Sequence, residues 1–239
     1  MDLERINQIQ NDALFYFDVE TKKTRNDLAL LEIKDSTVRK LFDESLDITH
    51  YAKACQRVGR CMRLAIIYKK KWAGGIVLGS TFPNIEVRDR FIGLKKYVQN
   101  VKERGLTHPW SKDNKDYWGR LQKVVNHART FVFPNFQGLG IATKAHKILL
   151  TEGIEIWEEK YNDKVGALDT LCDHGDSKLF LKNDWSLVGE TKGYGSNPKA
   201  KFSKKSEDNK LKNNVGLALN ENSTKWVVWV KIINEKVLT

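Results

Sequence analysis

The stretch VVNHARTFVFPNFQGLGIATKAHKILL, from Val124 to Leu150, constrains the fold more than any other part of the chain. An apolar run closes at Pro134, a Gln-Gly-Leu-Gly-Ile-Ala turn follows, and an amphipathic stretch begins at once. Pro134 has no N–H to give a sheet ladder, and Gly138 and Gly140 tolerate a tight backbone. Behind the turn, Ile141, Ala145, Ile148, Leu149 and Ile156 recur at helical spacing and are expected to face a sheet. The first N–H groups of such a helix lack partners, and its dipole adds partial positive charge there. This strand–turn–helix corner is a candidate site for a pyrophosphate, although a plain tight connection would read the same way.

The neighbouring pattern supplies a sheet for that corner. LALLEI (28–33) reads as a strand, and Asp35 or Ser36 caps a helix running to about Glu44 through Val38, Leu41 and Phe42. Two apolar strands flank a Lys-rich turn in 63–82, which is a hairpin signal. ARTFVF (128–133) is a strand, 138–160 a helix, VGALDTL (165–171) a strand and 176–183 a short helix. WSLVGET (185–191) and the twice-apolar TKWVVWVKII (224–233) are strands. The expected fold is α/β, in the α+β sense: a mixed, mostly antiparallel sheet with helices on both faces. We expect one domain over 1–239, with a peripheral helical segment at 1–24, a basic insertion at 84–123 and a mobile Lys-rich loop at 192–212.

Charge narrows the partners. The 239 residues carry a formal net charge of +11, which attracts polyanions through counterion release; the same surplus also merely keeps Lys-rich proteins soluble. The basic loop contains Lys201, Lys204 and Lys205. No apolar run approaches the roughly 20 residues a membrane span needs, and MDLERINQIQ has no apolar core of a signal peptide. Cys55, Cys61 and Cys172 make an odd count without Cys-x-x-Cys spacing, which suits free thiols in a cytoplasmic protein.

The turn fits neither common nucleotide signature, since a third Gly is missing for one and a Gly-Lys-Ser/Thr run for the other. Gln137-Gly138-Leu139-Gly140-Ile141-Ala142 instead resembles the coenzyme A pyrophosphate loop of the GNAT acyltransferase superfamily, Q/R-x-x-G-x-G/A. LFLKNDWSLVGE (179–190) is similar to that superfamily's L-Y-x-K-x-G-F-x-x-x-G stretch, with Phe180 in place of a proton-donating Tyr, Asp184 in place of a Gly and Trp185 in place of a Phe. The resemblance implies a GNAT-like fold, and acetyl-CoA or another acyl-CoA held by Gln137–Ala142. The strand Thr130, Phe131, Val132 and Phe133 would then polarise the thioester through its N–H groups.

Further blocks, THYAKACQRVGRCMRLAIIYKKKWAGGIVLGSTF, RDRFIGL (88–94), RLQKVVNHARTFVFP (120–134), IEIWEEKYNDKVGALDTLCD (154–173) and DWSLVGETKGYG (184–195), resemble in order those of the Druantia anti-phage family. That family is in turn similar to the phage Mom proteins, GNAT-like enzymes that modify adenine in DNA. Over about 49–196 this resemblance implies His50, Tyr51, Asn126 and Asp173 as catalytic residues, with His50 or Asp173 the base. Arg88, Arg90, Arg129 and the loop lysines would grip phosphate, Asp89 orienting an arginine. Asn126 would read an adenine edge, and Tyr51 or Trp72 would stack on a flipped base. His174 and Asp176 beside Asp173 make a metal conceivable without any ligand spacing.

The reading is an acyltransferase-like enzyme acting on the exocyclic amine of adenine in double-stranded DNA, with no membrane partner and a homodimer left open. Two alternatives stay beside it: an ordinary GNAT acetylating a protein or small amine, and a non-catalytic nucleic-acid-binding defence subunit.

Overall fold

A computed structural model of the protein describes residues 2–14, 17, 27–50, 59–99, 101, 103, 105–106, 111–172, 177–191 and 226–238. The chain forms two compact units. Unit 1 takes Met1–Ala54, Arg60–Gly79 and His127–Asp163; unit 2 takes Cys55–Gly59, Ser80–Asn126 and Lys164–Thr239. Hydrogen bonding orders the strands β1 (Leu28–Glu32), β2 (Cys61–Tyr68), β3 (Lys71–Ser80), β4 (Val124–Val132), β5 (Ala167–Cys172), β7 (Val227–Ile232), β6 (Ser186–Glu190), with β4 contributing to both units. The β1–β2, β2–β3, β5–β7 and β6–β7 pairings are antiparallel and β4–β5 is parallel. The expected mixed, mostly antiparallel sheet is what forms.

In unit 1, β1 (Leu28–Glu32), β2 (Cys61–Tyr68) and β3 (Lys71–Ser80) build a meander. The β2–β3 turn puts Lys69 and Lys70 at φ 49° and 61°, the pair of left-handed residues that a right-twisted two-residue hairpin requires. Helix α2 (Ser36–Thr49) starts where the carboxylate of Asp35 accepts the N–H groups of Thr37 and Val38 at 2.7 and 3.0 Å. It buries Val38, Phe42 and Leu46, four residues apart on one face. Helix α1 (Leu3–Leu14) is not peripheral, as its sequence suggested, because Ile6, Ile9 and Ala13 are buried. Arg5 and Glu44 join it to α2 at 2.6 Å, and Gln10 donates to the Trp72 carbonyl at 2.6 Å. Apart from Gln10, which is buried with the stripe, the polar residues of this helix are exposed or half-buried and hide its apolar face in the sequence.

Helices cover both faces of this part of the sheet. Leu31, Ala65 and Gly75 form one cross-strand column, and a Cβ on Gly75 would point into the ring of Phe42 on α2. Leu30, one residue back and hence on the opposite face, lies beside Gly153 of the long helix that follows β4. That helix runs through α5 (Ile141–Ile148), a π turn (Leu149–Gly153) and α6 (Ile154–Tyr161). The π turn adds a residue and rotates the buried stripe. The sheet side therefore carries Trp157, which is buried, and not the expected Ile156, which is half-exposed.

Gly74 lets β3 approach its neighbour closely, since a Cβ there would overlap the carbonyl of Phe131. Gly74→Ala forces backbone apart, and overpacking of this kind typically costs about 1–3 kcal/mol. A lowered urea midpoint at unchanged m-value is the expected result.

Unit 2 holds the first residues of β4 (Val124–Val132), then β5 (Ala167–Cys172), β6 (Ser186–Glu190) and β7 (Val227–Ile232). Segment 84–123, expected as a basic insertion, supplies much of its core. It forms α3 (Glu86–Phe91), a 3-10 turn (Leu94–Tyr97) and α4 (Lys115–Leu121). Ile92, Leu94, Tyr117 and Leu121 from this segment pack with Val124, Ala167, Val230 and Leu238. Exposed lysines such as Lys96, Lys112 and Lys115 stand between the apolar positions, so composition alone hides them.

Candidate functional site

The glycine corner forms in unit 1 as the sequence predicts. Phe133 leads into a short 3-10 turn (Pro134–Phe136), whose first position suits proline. Gly138 and Gly140 then sit at φ 79° and 70°, a left-handed conformation other residues adopt only under strain. A Cβ on either glycine would meet nothing within 4 Å. Backbone conformation, and not space, therefore calls for glycine here. The Gln137 side chain donates back to the Val132 carbonyl at 3.1 Å, tying the turn to β4. Lys144 is the first residue of α5 whose N–H reaches back to a carbonyl of the turn, that of Gly140 at 3.1 Å. The N–H groups of Ile141, Ala142 and Thr143 precede it in the first turn, where backbone donors have no carbonyl partner within the helix. Ile141 is buried, Ala142 is half-buried and Leu139 stands exposed. Loop–helix corners of this backbone shape are ones at which anions such as a pyrophosphate bind.

The strand leading to it is irregular. Thr130 Oγ1 lies 2.7 Å from His127 Nε2 and 3.1 Å from Nε2 of His146 on α5. Residues three apart point to opposite faces of a regular strand, so the alternation of β4 breaks between His127 and Thr130. The two imidazoles meet edge to face with centroids 4.6 Å apart. Burial pushes His146 down to about 4, so it is neutral at physiological pH. Phe131 packs on Phe42 and Phe133. The Phe133 N–H is spent on the Ala73 carbonyl at 2.9 Å, which corrects its assignment as a thioester-polarising donor.

Unit 2 holds a buried polar cluster that corrects several further expectations. Arg88 is 0% exposed and cannot grip phosphate. Its guanidinium reaches Asp89 at 2.6 Å, Asp169 at 2.7 Å, Thr81 Oγ1 at 2.5 Å and the Phe82 carbonyl at 2.9 Å. Thr81 also donates to Asp169, and Tyr117 to Asp89 at 3.2 Å. Burial pushes the Tyr117 hydroxyl up to about 12, and burial raises Asp89 as well. Asn126 is buried and commits its amide to Asp169, at 2.8 Å to the carboxylate, so it has no adenine edge to read. It sits where the parallel β4–β5 register ends, at Asn126↔Asp169. Trp72 is buried in unit 1 with its indole N–H on the Gly74 carbonyl at 2.7 Å; no base can stack on it.

Other expected residues are placed more openly. Arg90 is exposed and pairs with Glu86 at 3.0 Å. Arg129 is half-buried and donates to the Ala128 carbonyl at 2.7 Å. His50 closes α2, its N–H on the Leu46 carbonyl at 2.9 Å. Tyr51, Asp173, Lys201, Lys204 and Lys205 lie outside the described residues, as do His174, Asp176 and 192–212. Among the described residues no group of three or more His, Cys, Asp or Glu is arranged to hold a metal. None of their helices is long and apolar enough to cross a membrane.

Sequence reading missed Thr81, Tyr117, Asp169 and the pair His127 and His146. One signal was present: Asp169 is a lone carboxylate inside the apolar strand VGALDTL.

Protein-family models give no match to this chain. Curated proteins give none either. Among solved structures it is similar to a Salmonella typhimurium acetyltransferase that modifies an N-terminal serine of a 50S ribosomal protein, at 13% identity over 88% of this chain and 97% of that one, TM-score 0.46. It is also similar to an aminoglycoside acetyltransferase in complex with coenzyme A, at 10% identity over 86% and 94%, TM-score 0.43. A third is arylalkylamine N-acetyltransferase 2 from Aedes aegypti, at 14% identity over 87% and 100%, TM-score 0.41. These are distant similarities of shape.

Proposed function

We propose that this chain is an acyl-coenzyme A-dependent N-acyltransferase of GNAT type that acts on an amine of a protein or small molecule. The observation that carries the reading is the corner itself. Two left-handed glycines, the Gln137–Val132 tie and the start of α5 make a backbone cradle for a pyrophosphate. Gln137–Ala142 would hold the coenzyme, whose thioester supplies an activated acyl group. The backbone of this corner would hold the diphosphate end, and the Gln137–Val132 hydrogen bond ties the corner to β4. A second reading, with the exocyclic amine of adenine in double-stranded DNA as the acceptor, draws on the net charge of +11 and exposed Arg90. It loses Arg88, Asn126 and Trp72 to the interior.

Calorimetric titration with coenzyme A tests the cradle. Gly140→Val puts a branched residue at φ 70°, a strain of about 1–2 kcal/mol; affinity is expected to fall about tenfold or more. Unchanged affinity in that variant would remove the loop from the site. The acceptor is then read by incubating the protein and acetyl-CoA with a cell lysate, with polyamines and with plasmid DNA, and following each by mass spectrometry. A mass gain on adenine alone would reverse the order of the two readings.

A further inference from the structure

The acyltransferase reading leaves two buried histidines in unit 1 without a task. His127 is 3% exposed and His146 0%, whereas Thr130 between them is half-exposed. A threonine hydroxyl has one hydrogen to donate and two lone pairs to accept with. Both imidazoles present Nε2 to Thr130 Oγ1, at 2.7 and 3.1 Å. The hydroxyl can donate to only one of them, so the other must donate its own N–H to the oxygen. With both rings neutral they carry opposite tautomers, and the chain has a direction: N–H to O–H to N. One lone pair of Oγ1 remains for a third hydrogen.

We propose that Thr130, backed by His127 and His146, takes up the proton that the acceptor amine loses during acyl transfer. The proposal rests on the acyltransferase reading and names the base of that same site. His146, the more deeply buried ring, serves as the N–H donor and stays neutral; His127 Nε2 is the acceptor. As the amine nitrogen bonds to the acyl carbon and the carbon–sulfur bond breaks, one proton must leave nitrogen and one must reach sulfur. The amine N–H passes to Oγ1 while the Thr130 hydrogen passes to His127 Nε2. Reversal of the same path delivers that proton to the departing sulfur, and the three side chains end as they began. No metal or further reactant is needed for the balance. The break in β4 is what makes this possible, because a regular strand would send His127 and Thr130 to opposite faces.

The relay has a readout that needs no turnover. Nitrogen-15 NMR of the histidine rings is expected to show His127 and His146 in opposite neutral tautomers, and Thr130→Val to abolish that correlation. Turnover is read as thiol release from acetyl-CoA with butylamine as the probe. Thr130→Val is expected to lower kcat about 100-fold or more, within the usual range for general acid–base catalysis, at unchanged coenzyme A affinity. Thr130→Ser, which restores the hydroxyl, is expected to stay within a few-fold of the unsubstituted chain. The same tautomer on both rings, or a valine variant with full kcat, overturns the relay. A valine variant that loses coenzyme A affinity in step with kcat also overturns it, in favour of a packing role. Failure of the unsubstituted chain to bind coenzyme A sinks the acyltransferase reading instead, and the ring tautomers still decide whether the chain is directional.

Discussion

Arg88→Met is expected to destabilise the protein by about 3–5 kcal/mol, the usual consequence of removing one partner from a buried ion pair. The guanidinium is the sole cation of the described cluster, held between Asp89 and Asp169. Methionine fills much of the same volume, so the loss comes from charge and hydrogen bonds more than from a cavity. Two carboxylates would then face each other in a place already dry enough for burial to raise Asp89. One must protonate or the unit must open. Adding Asp169→Asn to Arg88→Met should therefore recover part of the loss, and the non-additivity measures the coupling. Thermal melts of the two single variants and the double give the numbers. If Arg88→Met shifts the melt no more than an exposed Arg90→Met does, the cluster is not what holds unit 2.

The second large effect is a dependence of stability on pH. An unfolded histidine titrates near 6.5 and His146 in the fold near 4, because burial penalises its charged form. Between those values the unfolded chain binds the proton and the folded one does not. The contribution is thus fully present above pH 6.5 and is lost as pH falls toward 4, by about 3 kcal/mol in all. The His127 ring faces His146 edge to face, and a cation beside His146 would add to the cost of charging it. Carboxylates begin to titrate in the lower part of the window, which makes the difference between two proteins the useful quantity. Urea midpoints taken from pH 7 to pH 4 should fall less steeply for His146→Leu than for the unsubstituted chain. Parallel curves would show that the ring is not held neutral by the fold.

What the sequence made legible was whatever neighbouring residues decide among themselves. Asp35 caps α2 because its carboxylate reaches N–H groups two and three residues on. The glycine corner is similarly local, since Pro134, Gln137, Gly138 and Gly140 each state their own backbone preference. Arg88 was misread because its partner Asp169 is 81 residues away. An Arg-Asp-Arg run looks the same whether its first guanidinium meets water or a carboxylate. The relay was hidden for another reason. His127 and Thr130 share a face only because β4 breaks its alternation, and no residue type announces that break. Ile156 and Trp157 exchanged places through one added residue in the helix, again without a marker in the apolar pattern.

That added residue acts as a gear between two fixed ends. The start of the helix is set by Gly140, which fixes where Ile141, Ala145 and His146 point. Its end is set independently by Tyr161, whose hydroxyl accepts the Cys61 N–H at 2.9 Å and donates to the Cys61 carbonyl at 2.8 Å. A uniform helix turns about 100° per residue and could satisfy one end only by misaligning the other. The wide turn at Leu149–Gly153 takes up the difference, so the cradle end and the β2 end can each keep their own angular setting along a single rod.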